Sequence, residues 1–331
     1  VRFRICYHDR CFDGAASAAL LARFIGDRYA PDAIVQFTGL KHLPDFSWRP
    51  SIFDGDENAI VDFRYCPYPE VAWWFDHHQS AFLSEEDERH FKRTRSNKKV
   101  LDVSYSSCAR LIADSLERAY GYRAPDLRQL IEWADIVDGA KYPNAHCAID
   151  VKPPMNRLKM VLEHGEDPVL RNFIVGNLRY TRVDQLLAKP AVRACAERLV
   201  AQHHRSIALL RERAEVKGRT VFFDLSEGER VPFNKFVPYY LFPEARYVVA
   251  LTRAASGLKI SLGANPWTNN GEAENLAALA EHFGGGGHPY VAGIALEGES
   301  VTKGRVLARS LLERLRCGQE ALAAKNAPIP V

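Results

Sequence analysis

At 331 residues the chain exceeds the usual size of one domain, so two are expected. Its 47% hydrophobic and 26% charged residues are ordinary globular values, and no apolar run is long enough to span a membrane. A net charge of +3 admits an anionic substrate but excludes a protein that coats nucleic acid by bulk charge.

Val1-Arg2-Phe3-Arg4 leads directly into a strand pattern over Arg2–His8, without the composition of a signal peptide. HDRCFDG follows, then an Ala/Leu-rich helix from Ala15 to Ile25 with Gly26 as its C-cap. Ala33–Thr38 and Ala59–Phe63 are the next strands, the latter apolar except for Asp62. Val71–Phe75 is a fourth strand, running straight into Asp76-His77-His78. The charged stretch SEEDERHFKRTRSNKK reads as a solvated loop or surface helix whose cations can line an approach for an anion. Ser106–Tyr120 is an amphipathic helix closed by Gly121, and Asp126–Val137 is another, holding IEWADIVDG. Helical patches separated by Pro and Gly occupy Val151 to Arg182, and Pro190–Ala214 reads as one long connecting helix. On it, His203 and His204 lack carboxylates at helical spacing and read as surface or packing residues.

After Gly218 the strand patterns resume at Thr220–Asp224, Tyr247–Thr252, Leu258–Leu262 and Val291–Leu296, with helices over Glu272–Phe283 and Arg305–Leu315. The final AAKNAPIPV reads as a loose tail. Alternation of strands and helices implies βαβ units and a largely parallel first sheet. The fold class is therefore α/β: an N-terminal parallel-sheet catalytic domain over 1–185, a helical linker over 186–216 and a smaller C-terminal α/β domain over 217–331. Seven scattered cysteines with no C-x-x-C pair argue against a disulfide framework or zinc knuckle and for a reducing cytoplasm.

Four separated stretches present Asp or His at or just past apolar elements: His8 to Asp13, Asp62, Asp76-His77-His78, and Asp135 with Asp138. Each has an ordinary explanation alone, since Asp13 can start a turn, Asp62 can cap a helix and Asp135 can form a salt bridge. Their conjunction points to a metal site, because a carboxylate closing a buried strand is costly unless paired or metal-bound. Imidazole with carboxylate suits Mn²⁺, Fe²⁺, Zn²⁺ or Co²⁺, and two such ions a few ångströms apart activate water and neutralise a phosphoryl group. Separately, the four glycines Gly284, Gly285, Gly286 and Gly287, followed by His288, expose backbone N–H groups that can nest an anion.

These motifs, in this order, resemble those of DHH phosphoesterases carrying the DHH-associated C-terminal domain. HDRCFDGAASA is similar to the first motif, IVDF to the second, FDHH to the third and ADIV to the fourth. FGGGGHPYVAG, roughly 200 residues beyond FDHH, is similar to the glycine–histidine motif of the second domain. The resemblance implies His8 and Asp13 as ligands of one metal, Asp62 as the bridge, and His77 and Asp135 as ligands of the second. Asp138 ranks behind Asp135 because ADIV fits the fourth motif better than VDGA. His78 would contact the substrate phosphate or assist protonation, and Asp76 would orient the His pair. Gly284–Gly287 and His288 would hold the nucleotide or terminal phosphate. The resemblance also implies an active site in the cleft between the two domains.

Three features depart from the pattern. Relatives often carry another first-motif carboxylate where this chain has Cys11 or Ala15, a place Asp9 or the Cys11 thiolate can take. His8 stands five residues before Asp13, where four is common among the nanoRNA-cleaving members. The strand that in those members ends Ser-Leu-Arg here reads Ser261-Leu262-Gly263, leaving Arg253, Lys259, Asn265 or Trp267 to assist substrate binding. Trp267 can stack on a base, although packing is its more ordinary role.

The resulting expectation is a hydrolase using Mn²⁺, two ions, with Mg²⁺, Co²⁺ or Zn²⁺ as alternatives. It would cleave phosphodiester or phosphomonoester bonds in short oligonucleotides or nucleotides, among them phosphoadenosine phosphate and cyclic or linear dinucleotides. No membrane or stable protein partner is implied, and a homodimer is compatible with the chain. The rivals are a pyrophosphatase or exopolyphosphatase and a nucleotide-binding sensor with an incomplete metal site. A RecJ-like exonuclease on long strands fits less well, for want of an added nucleic-acid domain.

Overall fold

The computed structural model describes residues 1–42, 46–228, 232–254, 257–268 and 274–325, with side chains to residue 317. Positions 272–273, at the expected start of a helix, and the tail from 326 onward lie outside the described residues. The chain forms two compact units: 1–142 with 151–200, and 143–150 with 201–331. The division passes through the long helix, and a short segment before it joins the second unit.

The first unit is built on five parallel strands: β1 (Arg2–His8), β2 (Ile34–Leu40), β3 (Glu57–Val61), β4 (Val71–Asp76) and β5 (Lys99–Leu101). Their order, β2-β1-β3-β4-β5, places the reversal between β1 and β3. In open parallel sheets that reversal splays the connections apart and leaves a crevice at the carboxyl ends of the strands. Here those ends are His8 on β1 and Asp62 just beyond β3.

Both sheet faces are covered, as parallel sheets require. Phe3, Ile5, Ala59, Val61, Trp73 and Phe75 face a helical layer, while Cys6, Ile60 and Trp74 face Phe63, Tyr65 and Phe91. Helix α1 (Phe12–Phe24) is buried at twelve of its thirteen positions, which explains why it is rich in alanine. Around it pack α3 (Cys108–Tyr120), α4 (Arg128–Asp138), α6 (Pro154–His164) and α7 (Pro168–Leu178). The charged stretch forms helix α2 (Glu85–Thr94), capped by the Ser84 hydroxyl. Ser107 caps α3, which Gly121 closes in the left-handed conformation, as the sequence indicated.

Both ends of α1 differ from expectation. Helix α1 begins at Phe12 because it turns sharply off β1, and a Cβ at Gly14 would stand 2.4 Å from the His8 carbonyl oxygen. At its other end the chain continues into a π-helical turn, Ile25–Tyr29, so Gly26 is no cap. Its missing side chain instead leaves room for the Tyr180 hydroxyl.

Helices α5 (Ala145–Ile149) and α8 (Val183–Leu187) precede the long α9 (Pro190–Arg213). Within the second unit His203 is buried with Nε2 3.1 Å from the Ile149 carbonyl, a packing role. The second sheet is mixed, ordered β10-β11-β9-β8-β7-β6. Its strands are β6 (Ala214–Lys217), β7 (Thr220–Leu225), β8 (Tyr247–Ala254), β9 (Gly257–Ala264), β10 (Gly286–His288) and β11 (Val291–Glu297). With them come α10 (Val237–Leu241), α11 (Leu276–Glu281) and α12 (Val301–Lys325). Leu258, Ile260 and Leu262 alternate with polar or small residues and join Ile294, Leu279 and Leu311 in one core. The sequence reading missed β6 and β10. One is four residues at the end of a helical pattern, and the other is mostly glycine.

Candidate metal centre

His8, Asp13, Asp62, His77 and His78 converge at the carboxyl edge of the first sheet, where β1, β3 and β4 end beside the first turn of α1. The Asp62 carboxylate is fully buried and its two oxygens face different histidines. Oδ2 lies 3.3 Å from His8 Nδ1, and Oδ1 lies 3.5 Å from His77 Nε2. Its backbone is left-handed, at φ 55°, a strained conformation that recurs at functional sites and that Asp tolerates better than most residues.

His77 Nδ1 is 3.0 Å from the Tyr105 carbonyl, which can only accept, so Nδ1 carries the proton and Nε2 turns inward. There Nε2 meets Asp13 Oδ2 at 3.6 Å and Asp138 Oδ2 at 3.4 Å. Asp13 is anchored at the N-terminus of α3, accepting the Cys108 and Ala109 N–H groups at 2.6 and 2.9 Å. His78 Nδ1 is 2.7 Å from Asp76 Oδ1, which also accepts the His77 N–H.

The electrostatics follow from crowding carboxylates in a buried place. Burial, then Asp62 and Asp138, pushes the Asp13 carboxyl well above the usual carboxylate range. Burial also favours the protonated form of Asp62, but His77 and His8 outweigh it and hold that group below the usual range. Burial alone would lower His77, yet Asp62, Asp13 and Asp138 raise it to about 10 in the metal-free chain. The same opposition, won by Asp76, raises His78 to about 9.

Five buried polar atoms here have no hydrogen-bond partner: His8 Nδ1, both Asp62 oxygens, Asp76 Oδ2 and His77 Nε2. Left so, each costs roughly 1–3 kcal/mol. Among the described residues, three groups offer ligand atoms within 4.8 Å of one another: His8/Cys11/Asp62, Asp62/His77/His78 and Asp13/His77/Asp138. Asp62 joins the first two and His77 the last two. Divalent cations fit this donor set, because they would engage the orphaned atoms and offset the carboxylate charge.

Two expected ligands are engaged elsewhere. Asp135 accepts the Ser107 hydroxyl at 2.6 Å and pairs with Arg110 Nε at 3.0 Å, so the helix brings Asp138 to the cluster instead. Asp9 forms a buried two-pronged ion pair with Arg171, at 2.7 and 3.0 Å, and cannot stand in for the missing first-motif carboxylate. Replacing Arg171 by alanine is expected to cost about 3–5 kcal/mol, since it strands a buried carboxylate. A urea unfolding curve checks it, and an unchanged midpoint contradicts the buried pair.

His42 was not anticipated. Its ring stacks on Phe63 with centroids 4.2 Å apart and meets the His8 ring edge-on at 4.6 Å. The same strand-end rule would have found it, because β2 ends at Leu40, in register with His8.

In the second unit the glycine run serves the backbone. The Gly284 and Gly285 N–H groups are donated to the Glu281 and Ala280 carbonyls, so an anion nest using them is not available. Gly287 has φ 150°, and a Cβ there would lie 2.4 Å from the Val291 oxygen. Gly286 and His288 lie on the edge strand β10, with the exposed His288 ring stacked beside Tyr290. Asn265 is fully buried: its amide nitrogen donates to the Pro243 and Ala245 carbonyls and its oxygen accepts the Trp267 N–H. It therefore shapes a turn, with its amide engaged by the backbone. Trp267 packs against the Phe236 and Tyr239 rings. Exposed Arg253 pairs with Leu258 across the sheet, four residues along β8 from Val249, which shares the row of Gly287. Lys259 lies nearer, its Cε 3.1 Å from where a Gly293 Cβ would stand.

No protein-family model and no curated protein matches the chain in sequence. Among solved structures the fold is shared with a pGpG-specific phosphodiesterase, PggH, from Vibrio cholerae. That match has a TM-score of 0.69 at 16% identity and covers 96% of this chain and all of the other. An exopolyphosphatase-related protein from Bacteroides fragilis matches at a TM-score of 0.50 and 16% identity, covering 95% of this chain and 92% of that one.

Proposed function

We propose that the chain is a metal-dependent phosphoesterase of the DHH type that hydrolyses linear dinucleotides or short oligonucleotides. The observation that carries this reading is the buried Asp62 carboxylate, with unpartnered oxygens turned to His8 and His77. Asp13 and Asp138 complete the donor set. Fold likeness over nearly the whole length to a pGpG-specific phosphodiesterase supports the substrate class. His8, Asp13, Asp62, His77 and Asp138 would hold the ions, Mn²⁺ being the first expectation for mixed imidazole and carboxylate donors. Bound there, divalent ions supply activation of water and neutralisation of phosphoryl charge.

The chain's own residues do the rest. Asp76 engages His78 at Nδ1, so Nε2 is the ring nitrogen proposed to meet substrate. Because Asp76 keeps His78 protonated at neutral pH, Nε2–H can donate to a phosphoryl or leaving-group oxygen. Helix α3 pins Asp13, and the Tyr105 carbonyl aligns His77, so the donors are positioned before any ion arrives. In the second unit, His288 and Gly286 on β10 are proposed as substrate contacts.

The test is an assay of the full chain with Mn²⁺ against a linear dinucleotide, a short oligoribonucleotide, phosphoadenosine phosphate, pyrophosphate and polyphosphate. Mononucleotide release from the first two is the expected result. Turnover of polyphosphate or pyrophosphate alone would replace this reading with the phosphatase one. Nucleotide binding without turnover and without metal would replace it with a sensor.

A further inference from the structure

We infer that Cys11 is a metal ligand, and that with His8 and Asp62 it makes one half of the centre selective for a thiophilic ion such as Zn²⁺ or Co²⁺. This rests on the metal reading above and concerns which ion each position takes. Cys11 immediately precedes α1, and its sulfur lies within 4.8 Å of ligand atoms of both His8 and Asp62. The neighbouring atoms are buried without a hydrogen bond: Asp62 Oδ2 and His8 Nδ1 face each other at 3.3 Å, and Asp62 Oδ1 faces His77 at 3.5 Å. Zinc bonds sulfur at about 2.3 Å and imidazole nitrogen at about 2.0 Å, so at the tetrahedral angle the two donors stand roughly 3.5 Å apart. Small side-chain adjustments therefore bring this trio onto a single ion.

Neither alternative position in the first motif competes for the role. Asp9, the adjacent alternative, is committed to Arg171, and position 15 is a buried alanine. The two halves of the centre thus differ in donor chemistry. One offers imidazole, carboxylate and sulfur, whereas the other offers Asp13, His77 and Asp138 without sulfur. Thiolate favours Zn²⁺, Co²⁺ and Fe²⁺ over Mn²⁺ and Mg²⁺, while the oxygen-rich half accepts the harder ions. Binding of the ion displaces the Cys11 proton to solvent, and the sulfur lone pair becomes the bond to the metal.

The experiment is a Co²⁺ titration of the reduced, metal-free full chain, following thiolate-to-cobalt charge-transfer absorption together with calorimetric stoichiometry. One equivalent of cobalt is expected to raise the band. Cys11→Ser should abolish it and weaken Zn²⁺ binding at that position by about tenfold or more, while cobalt still binds the Asp13/His77/Asp138 half. Cys108→Ala, which removes the other nearby cysteine, should keep the band. Cobalt binding with no band, or a band that survives Cys11→Ser, overturns the inference and leaves the phosphoesterase reading standing. Failure to bind cobalt at all overturns both. Should the serine variant not fold, zinc-edge absorption on the unaltered chain decides: one sulfur neighbour at about 2.3 Å supports the assignment and none refutes it.

Discussion

Asp62→Asn is expected to lower kcat for dinucleotide hydrolysis by about 10³-fold or more, equivalent to roughly 4 kcal/mol of transition-state stabilisation. Asparagine is the informative replacement because Asp62 is left-handed, a conformation that asparagine adopts more readily than alanine. Loss of activity would therefore report the missing charge and not a rebuilt backbone. This carboxylate borders both proposed ion positions, with Oδ2 toward His8 and Oδ1 toward His77, so calorimetry should show both binding events weakened. Substitution of Asp138, which serves only one position, should leave one of them intact. Retention of full activity in the Asp62→Asn protein, with unchanged metal stoichiometry, would end the proposal.

The stabilisation conferred by Mn²⁺ should grow as pH rises from about 6 to 9. In the metal-free chain His77 is raised to about 10, so its contribution to stability is complete below the ordinary histidine value, near 6.5, and is lost as pH climbs toward 10. Asp13 acts in the same direction. Its folded form keeps a proton that the unfolded chain releases above about 4, so rising pH favours unfolding. Asp62 opposes them, and only on acidification, because its pKa is depressed and its contribution disappears at low pH. A divalent ion replaces the missing protons. Each proton it displaces should tighten binding by about tenfold per pH unit. Melting temperatures with and without Mn²⁺ across this range give the answer. A metal-induced shift that is flat with pH, or that shrinks as pH rises, would mean the ion does not occupy the His77 cluster.

Much of the first unit was legible because its signals are local. The apolar runs at Ala59 and Val71 and the alanine-rich stretch after HDRCFDG each announce one element. A polar residue at the carboxyl end of a buried strand has few structural uses, so His8, Asp62 and His77 stood out without any knowledge of pairing. The Ser107 cap and the Gly121 stop could likewise be read from neighbours in sequence. The glycine–histidine stretch was visible too, but its use was misread. Four glycines in a row look like free N–H donors, whereas the fold commits two of them to the end of α11.

What the sequence by itself determined was the α/β architecture and the set of residue types able to build the centre, since both follow from periodicity and from chemistry placed at strand ends. What only the tertiary structure decided was the choice among equivalent candidates. Asp135 and Asp138 lie three residues apart on one helix, and Arg110 and Ser107, on and beside a different helix, remove the first from the cluster. Arg171 removes Asp9 across 162 positions of sequence, and the turn around Pro243 and Ala245 absorbs Asn265. A carboxylate or amide has only a few lone pairs and donors, and which partner claims them depends on residues brought near by folding.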